Sequence, residues 1–142
     1  MPKIPERERQ CYCINVRRAA NTLTKFYDKA LEPAKLTISQ FSLLNDIKLL
    51  GCCNKSELAL YAKLDRTTII RNLNTLHEKG FIRDAPETGT YSHLITLTDA
   101  GESVINESMT LWKQAQQHIY NTIGEVNIKG FEQILKKIES LN

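Results

Sequence analysis

The densest run of side chains able to make directional contacts is Asp65-Arg66-Thr67-Thr68-Ile69-Ile70-Arg71-Asn72-Leu73-Asn74. A guanidinium presents two parallel N–H groups that match the O6 and N7 acceptors of guanine. An asparagine amide matches adenine, and an aliphatic or threonine methyl can touch the thymine methyl. If Ile69, Leu73 and Leu76 turn inward on a helix, the 3.6-residue period leaves Arg66, Thr67, Thr68, Ile70, Arg71 and Asn74 outward or flanking. Lys55 and Ser56, upstream at the start of another short helix, suit contacts to phosphate oxygens. The plainer reading keeps Asp65, Thr67 and Thr68 as helix-cap residues and leaves both arginines solvated.

The remaining chemistry-bearing residues are more dispersed. Four cysteines fall as Cys11-x-Cys13 and the adjacent pair Cys52-Cys53, a pattern of neither a zinc ribbon nor a secreted disulfide framework. Cys13, near a helix amino terminus with Arg9, Arg17 and Arg18 close in sequence, is placed to favour thiolate and oxidation to sulfenic acid. The alternative is a small buried apolar residue, which free cysteines usually are. Cys11 points away from Cys13 on a regular helix, which disfavours a bridge between them, and Cys52 and Cys53 are expected to pack in the loop after Gly51. His77, His93 and His118 form no pair at helical metal-ligand spacing, so no metal is expected. No nucleophile–base spacing, phosphate loop or carboxylate pair argues for catalysis or a cofactor.

These residues need elements to hold them. Ile14, Val16, Ala20, Leu23, Phe26, Tyr27, Ala30 and Leu31 recur at three- and four-residue steps and predict a long helix from about Arg9 to Leu31, ended by Pro33. Thr37-Ile38-Ser39-Gln40 has the form of a capping box, with Phe41, Leu44, Ile47 and Leu50 on one face and Gly51 as the stop. Asn54 to Glu57 repeats the arrangement before Leu58, Ala59, Ala62 and Leu64. Asp65 then caps the helix bearing the two arginines, which Gly80 closes. "FIRDAP" and "YSHLITLT" bracket a turn-rich stretch and predict a hairpin. Thr98 caps a second long helix, Asp99 to about Ile123, lined by Val104, Ile105, Leu111, Trp112, Ala115, Ile119 and Ile123. Phe131, Ile134, Leu135, Ile138 and Leu141 mark a last short one.

The predicted fold is therefore mainly α with a small β-hairpin wing, a winged helix-turn-helix over residues 36–98 flanked by long helices at 1–35 and 99–142. At 142 residues this makes one domain. The flanking helices carry more apolar surface than so small a unit can cover, and a second copy of the chain is expected to cover it. Net charge is +3, with residues 1–35 carrying a balance of +4, residues 36–97 +1 and residues 98–142 −2. That distribution permits nucleic-acid binding without requiring it. No apolar run of about 18 residues and no charged-then-apolar leader marks the chain for a membrane or for export, so the expectation is a cytoplasmic protein with reduced thiols.

Three segments, "LTISQFSLL" (Leu36–Leu44), "SELALYAKLDRTTIIRNLNTLHEKGFI" (Ser56–Ile82) and "LTDAG" (Leu97–Gly101), in this order, resemble the MarR family of transcriptional regulators over nearly the whole chain. The resemblance implies a homodimer knitted by the first and last helices, with recognition helices in successive major grooves of palindromic double-stranded DNA. It also implies repression relieved by a small molecule or an oxidant. Where the family's wing usually carries Asp-x-Arg, this chain has Gly89 and Tyr91, and no Lys or Arg lies between Arg83 and Lys113. Thr88, Thr90, Tyr91 or His93 would then meet the minor groove by hydrogen bonding, without a full charge. The spacing of Cys13 and Tyr27 is similar to that of the reactive cysteine and a tyrosine partner in the family's organic-hydroperoxide-sensing branch, whose second tyrosine is Arg17 here. Fourteen residues of helix span about 21 Å, so such a contact would cross the dimer. Trp112, Tyr120, Tyr27 and Phe26 could line a cleft for a small aromatic effector, or be core. The competing reading is a winged helix that binds protein partners and no specific DNA. A steep salt dependence of DNA binding separates the two.

Overall fold

The computed structural model describes residue 3, residues 11–85 and residues 94–141. Its elements run α1 (Tyr12–Leu31), a 3-10 turn (Glu32–Ala34), α2 (Ile38–Leu50), α3 (Lys55–Ala62), α4 (Arg66–Glu78), β1 (Ile82–Asp84), β2 (Ile95–Leu97), α5 (Asp99–Ile123) and α6 (Glu125–Glu139). The order is the predicted one, although α6 begins well before the apolar residues that announced it. The expected start of the first helix at Arg9 lies outside the described residues.

Local chemistry sets most helix starts. The Thr37 hydroxyl accepts from the Gln40 N–H at 3.2 Å while the Gln40 side chain accepts from the Thr37 N–H at 3.1 Å, the reciprocal capping box. Asn54 Oδ1 accepts from Glu57 N–H at 2.8 Å, but the Glu57 carboxylate returns to the Asn54 side-chain amide rather than to the backbone. Thr98 Oγ1 accepts from Gly101 N–H at 3.0 Å and donates to the Gly80 carbonyl at 2.6 Å, tying the start of α5 to the end of α4. Gly80 closes that end at φ +77°, where the Phe81 N–H reaches the Leu76 carbonyl at 3.0 Å.

The core lies between α2, α3, α4, the hairpin and the first half of α5. It is built on Leu43, Leu44, Ile47, Leu58, Ile69, Leu73, Leu76, Ile95 and Ile105, with Leu31 closing it from α1. Phe41 is also buried and stacks on Trp112 with ring centres 5.9 Å apart. The two strands pair antiparallel with Ile82 opposite Leu97 and Asp84 opposite Ile95. Cys53 adds a bridge to Ile95 through two backbone hydrogen bonds of 3.1 and 2.7 Å. That bridge separates the cysteine pair expected to pack together: Cys53 is fully buried, while Cys52, in the bend before it, is exposed. Burial pushes the Cys53 thiol up to about 11, with the charges of Glu57 and Cys52 adding to the shift. Among the described residues no helix is long and apolar enough to cross a membrane.

α1 and α6 differ from the rest. α1 buries only Leu31 and α6 buries no residue, yet both carry apolar stripes, with Tyr12 of α1 88% and Val126 of α6 93% exposed. Tyr12, Cys13, Val16, Ile134, Ile138 and Leu141 line an apolar groove of about 660 Å³ between the two helices.

Candidate nucleic-acid interface

α3 and α4 are joined by a turn in which Lys63 takes a left-handed conformation, φ +54°. A non-glycine residue held there costs on the order of 1 kcal/mol, and the burial of Leu58 and Ile69 on either side of the turn offsets it. Asp65 follows as the cap of α4. Its carboxylate accepts the Thr68 N–H at 3.2 Å and the Thr68 hydroxyl, and both bonds hold its pKa below the ordinary carboxylate value. Thr68 thereby serves the helix start, the role that the plainer reading of the sequence gives it, and is half exposed.

The inward face of α4 is Ile69, Leu73 and Leu76, each at most 2% exposed. Thr67, Arg71 and Asn74 stand exposed away from that face, and Arg66 is exposed at its flank in the first turn. Among the described residues neither arginine has an ion-pair partner. Ile70 is half-buried rather than fully outward, because it follows Ile69 and lies one turn before Leu73, at the edge of the packed face.

Lys55 and Ser56 are exposed in the first turn of α3, at the end where unpaired N–H groups favour anions. Lys55 joins Leu73, Asn74, His77, Asp84 and Ile95 around a recess of about 300 Å³ between α3, α4 and the base of the hairpin. His77 Nε2 and Asp84 Oδ1 approach to 3.5 Å across it. The sequence weighs His77 only as a metal ligand, although the steps from Arg66 to Ile70, Asn74 and His77 place all four along one side of a helix. Arg83 was passed over. It is exposed on β1 between the buried Ile82 and the exposed Asp84. Thr90, Tyr91 and His93, named for the wing, lie outside the described residues, as do Thr88 and Gly89.

Within one chain the residues named for sensing stand apart, as the length of α1 requires. Cys13 is exposed in the groove between α1 and α6, while the Tyr27 hydroxyl donates to Gln116 of α5 in the same chain. Burial raises the Tyr27 pKa. The thiol favoured as thiolate is Cys11, which precedes α1 and faces the N–H groups of Ile14 and Cys13 without closing a capping hydrogen bond. Where α1 begins decides this: Cys13 already lies inside the helix. The aromatic residues divide into two groups. Trp112 packs on the core, and Phe26 stacks on His118 at 5.3 Å and meets Tyr27 edge-on. Tyr27 and Tyr120 line a recess of about 350 Å³ with Gln116, Ile119 and Phe131. Among the described residues no three His, Cys, Asp or Glu side chains converge on a metal-sized site.

Comparison with known proteins follows the same division of the chain. The MarR family profile matches residues 36–88, the stretch from the start of α2 into the hairpin. The uncharacterized HTH-type transcriptional regulator YwoH of Bacillus subtilis is 25% identical over 92 residues, 65% of this chain and 67% of that protein. The Mycobacterium tuberculosis transcriptional regulator MOSR, solved in complex with DNA, superposes with a TM-score of 0.73 at 31% identity, over 91% of this chain and 98% of that one. Bordetella bronchiseptica BpsR, whose DNA binding is regulated by 6-hydroxynicotinic acid, superposes with a TM-score of 0.84 over 97% of this chain and 99% of that one, at 18% identity.

Proposed function

Because this chain belongs to the MarR family of winged-helix transcriptional regulators, and is a DNA-binding regulator of transcription, we propose that it acts as a repressor, two copies holding a palindromic operator. The observation that carries the reading is the contrast across α4. Ile69, Leu73 and Leu76 are wholly packed, while Thr67, Arg71 and Asn74 stand exposed away from them and Arg66 at their flank. In this reading residues 36–98 contact DNA and the helices at 1–35 and 99–142 pair the two copies. The uncovered apolar stripes of α1 and α6 support that division. Arg66, Arg71 and Asn74 would meet base edges, with Thr67 and the side of Ile70 at their flank. Lys55 and Ser56 would hold the phosphate backbone, and Thr68 would serve the cap.

Selection of bound sequences from a random duplex pool is expected to return an inverted repeat. Affinity for it should fall with salt by about 0.9 in log K per log unit for each phosphate neutralised. A flat salt response, or recovery of no common sequence, would favour the protein-interaction reading instead.

The wing makes a smaller contribution in this reading. A neutral Tyr91 or His93 gains nothing from the enhanced negative potential of a narrow minor groove, where an arginine would. Tyr91→Ala is expected to cost less than about 1 kcal/mol, while Tyr91→Arg tightens binding and steepens the salt slope by about one phosphate. A large loss for Tyr91→Ala in the same titration would mean that the wing holds DNA by other contacts.

Release by a small aromatic effector is supported by the recess at Tyr27, Tyr120 and Gln116, and by the regulation of BpsR by 6-hydroxynicotinic acid. Release by an oxidant rests on Cys11, with Cys13 two residues on and the Tyr27 partner engaged elsewhere.

A further inference from the structure

The recess beside Lys55 holds two charges of opposite sign where the proposed function needs a phosphate. Lys55 comes from α3, Asp84 from β1 and His77 from α4, with Asn74 and Leu73 also on α4 and the apolar Ile95 from β2. Of the other charges on these three elements, Glu57 of α3 accepts from the Asn54 amide at 2.8 Å, and Arg66, Arg71 and Glu78 of α4 and Arg83 of β1 do not line the recess. Lys48 of α2 pairs with Glu102 at 3.3 Å, and Asp46 lines a separate recess with Ser39 and Ser42. Lys79, at the end of α4, donates to the Lys35 carbonyl at 2.7 Å and to Gln40 at 3.2 Å. The charge balance of the recess therefore depends on His77. With a neutral imidazole, Asp84 opposes a phosphate drawn to Lys55. With an imidazolium 3.5 Å from Asp84, the carboxylate is compensated and the recess is net positive.

We propose that His77 is a positioning residue for DNA, and that closing the duplex onto the recess between Lys55 and Asp84 takes up a proton from solvent on its imidazole. The inference rests on the reading of α4 as the DNA-contacting helix. Imidazole is the side chain that changes charge between about pH 5 and 8. The sign follows from the arrangement: the bound state favours the protonated form, so affinity is greatest at low pH and declines as pH rises through neutrality. One half-shielded charge at each of two half-sites is expected to amount to about threefold or more between pH 6 and pH 8.

The test is equilibrium binding of a selected operator duplex at pH 6 and pH 8 with ionic strength held constant. Wild type should lose about threefold or more in affinity. His77→Gln should bind equally at both pH values, and His77→Lys should bind tightly at both. Asp84→Asn should recover at pH 8 most of what wild type loses there. Binding of wild type that does not change with pH, a pH dependence that survives in His77→Gln, or no recovery in Asp84→Asn would each overturn the inference while leaving DNA recognition intact. Failure of wild type to bind any duplex at either pH would overturn the DNA reading itself, and this inference with it.

Discussion

Arg66→Ala and Arg71→Ala are each expected to weaken operator binding by about 1–3 kcal/mol per half-site and to relax base preference at one position of each half-site. The size follows from what each guanidinium forgoes and gains. Both are exposed and free of ion pairs among the described residues, so neither leaves an internal partner when it turns to a base edge. The helix that carries them is held on its other side by Ile69, Leu73 and Leu76, so little ordering is left to be done on binding. A dimer on a palindrome loses the contact twice. Lys55→Ala is the control of opposite character: a phosphate contact carries no sequence information, so all duplexes should weaken alike and the salt slope should flatten. Competition between the selected operator and scrambled duplexes, repeated over several salt concentrations, separates the two behaviours. If both arginine variants keep the wild-type preference, α4 is not the reading helix.

Gly101→Ala is expected to lower stability by about 2 kcal/mol, and Gly101→Val by more. In most helices an alanine would stabilise relative to glycine by about 1 kcal/mol. Here a Cβ would sit 2.1 Å from the Phe81 carbonyl oxygen and 3.1 Å from its carbon, both backbone atoms with no rotamer to escape into. That oxygen also accepts the Thr98 N–H at 3.1 Å, and Thr98 is itself bonded to Gly80 and Gly101. Relief therefore requires α5 to move away from the junction of α4 and β1 as a unit. Thermal unfolding should show the loss directly, and DNA affinity should fall with it because the same junction orients α4 relative to the hairpin. A neutral or stabilising Gly101→Ala would mean that α5 stands farther from Phe81 than this geometry allows.

Much of the architecture was legible from residues three or four positions apart. The caps at Thr37, Asn54, Asp65 and Thr98 depend on an oxygen and an N–H within one turn, so residue type and spacing suffice to identify them. The inward face of α4 follows from helical period alone, and with it the outward set of Arg66, Thr67, Arg71 and Asn74. The capping role of Thr68 is also visible there, and the hydrogen bonds to Asp65 form it.

What needed the folded chain involves partners distant in sequence or backbone states that residue type does not announce. Cys53 is buried because its backbone pairs with Ile95, and no pattern around residue 53 encodes that bridge. The tight turn between α3 and α4 rests on Lys63 in a left-handed conformation that sequence reasoning reserves for glycine. His77 reads as an ordinary helix residue until the hairpin brings Asp84 to it and α3 brings Lys55. Gly101 reads as a weak helix former until α5 docks against Phe81. Periodicity and capping are properties of a short stretch of chain and are written in it, whereas close approach and charge pairing arise only where separate elements are packed together.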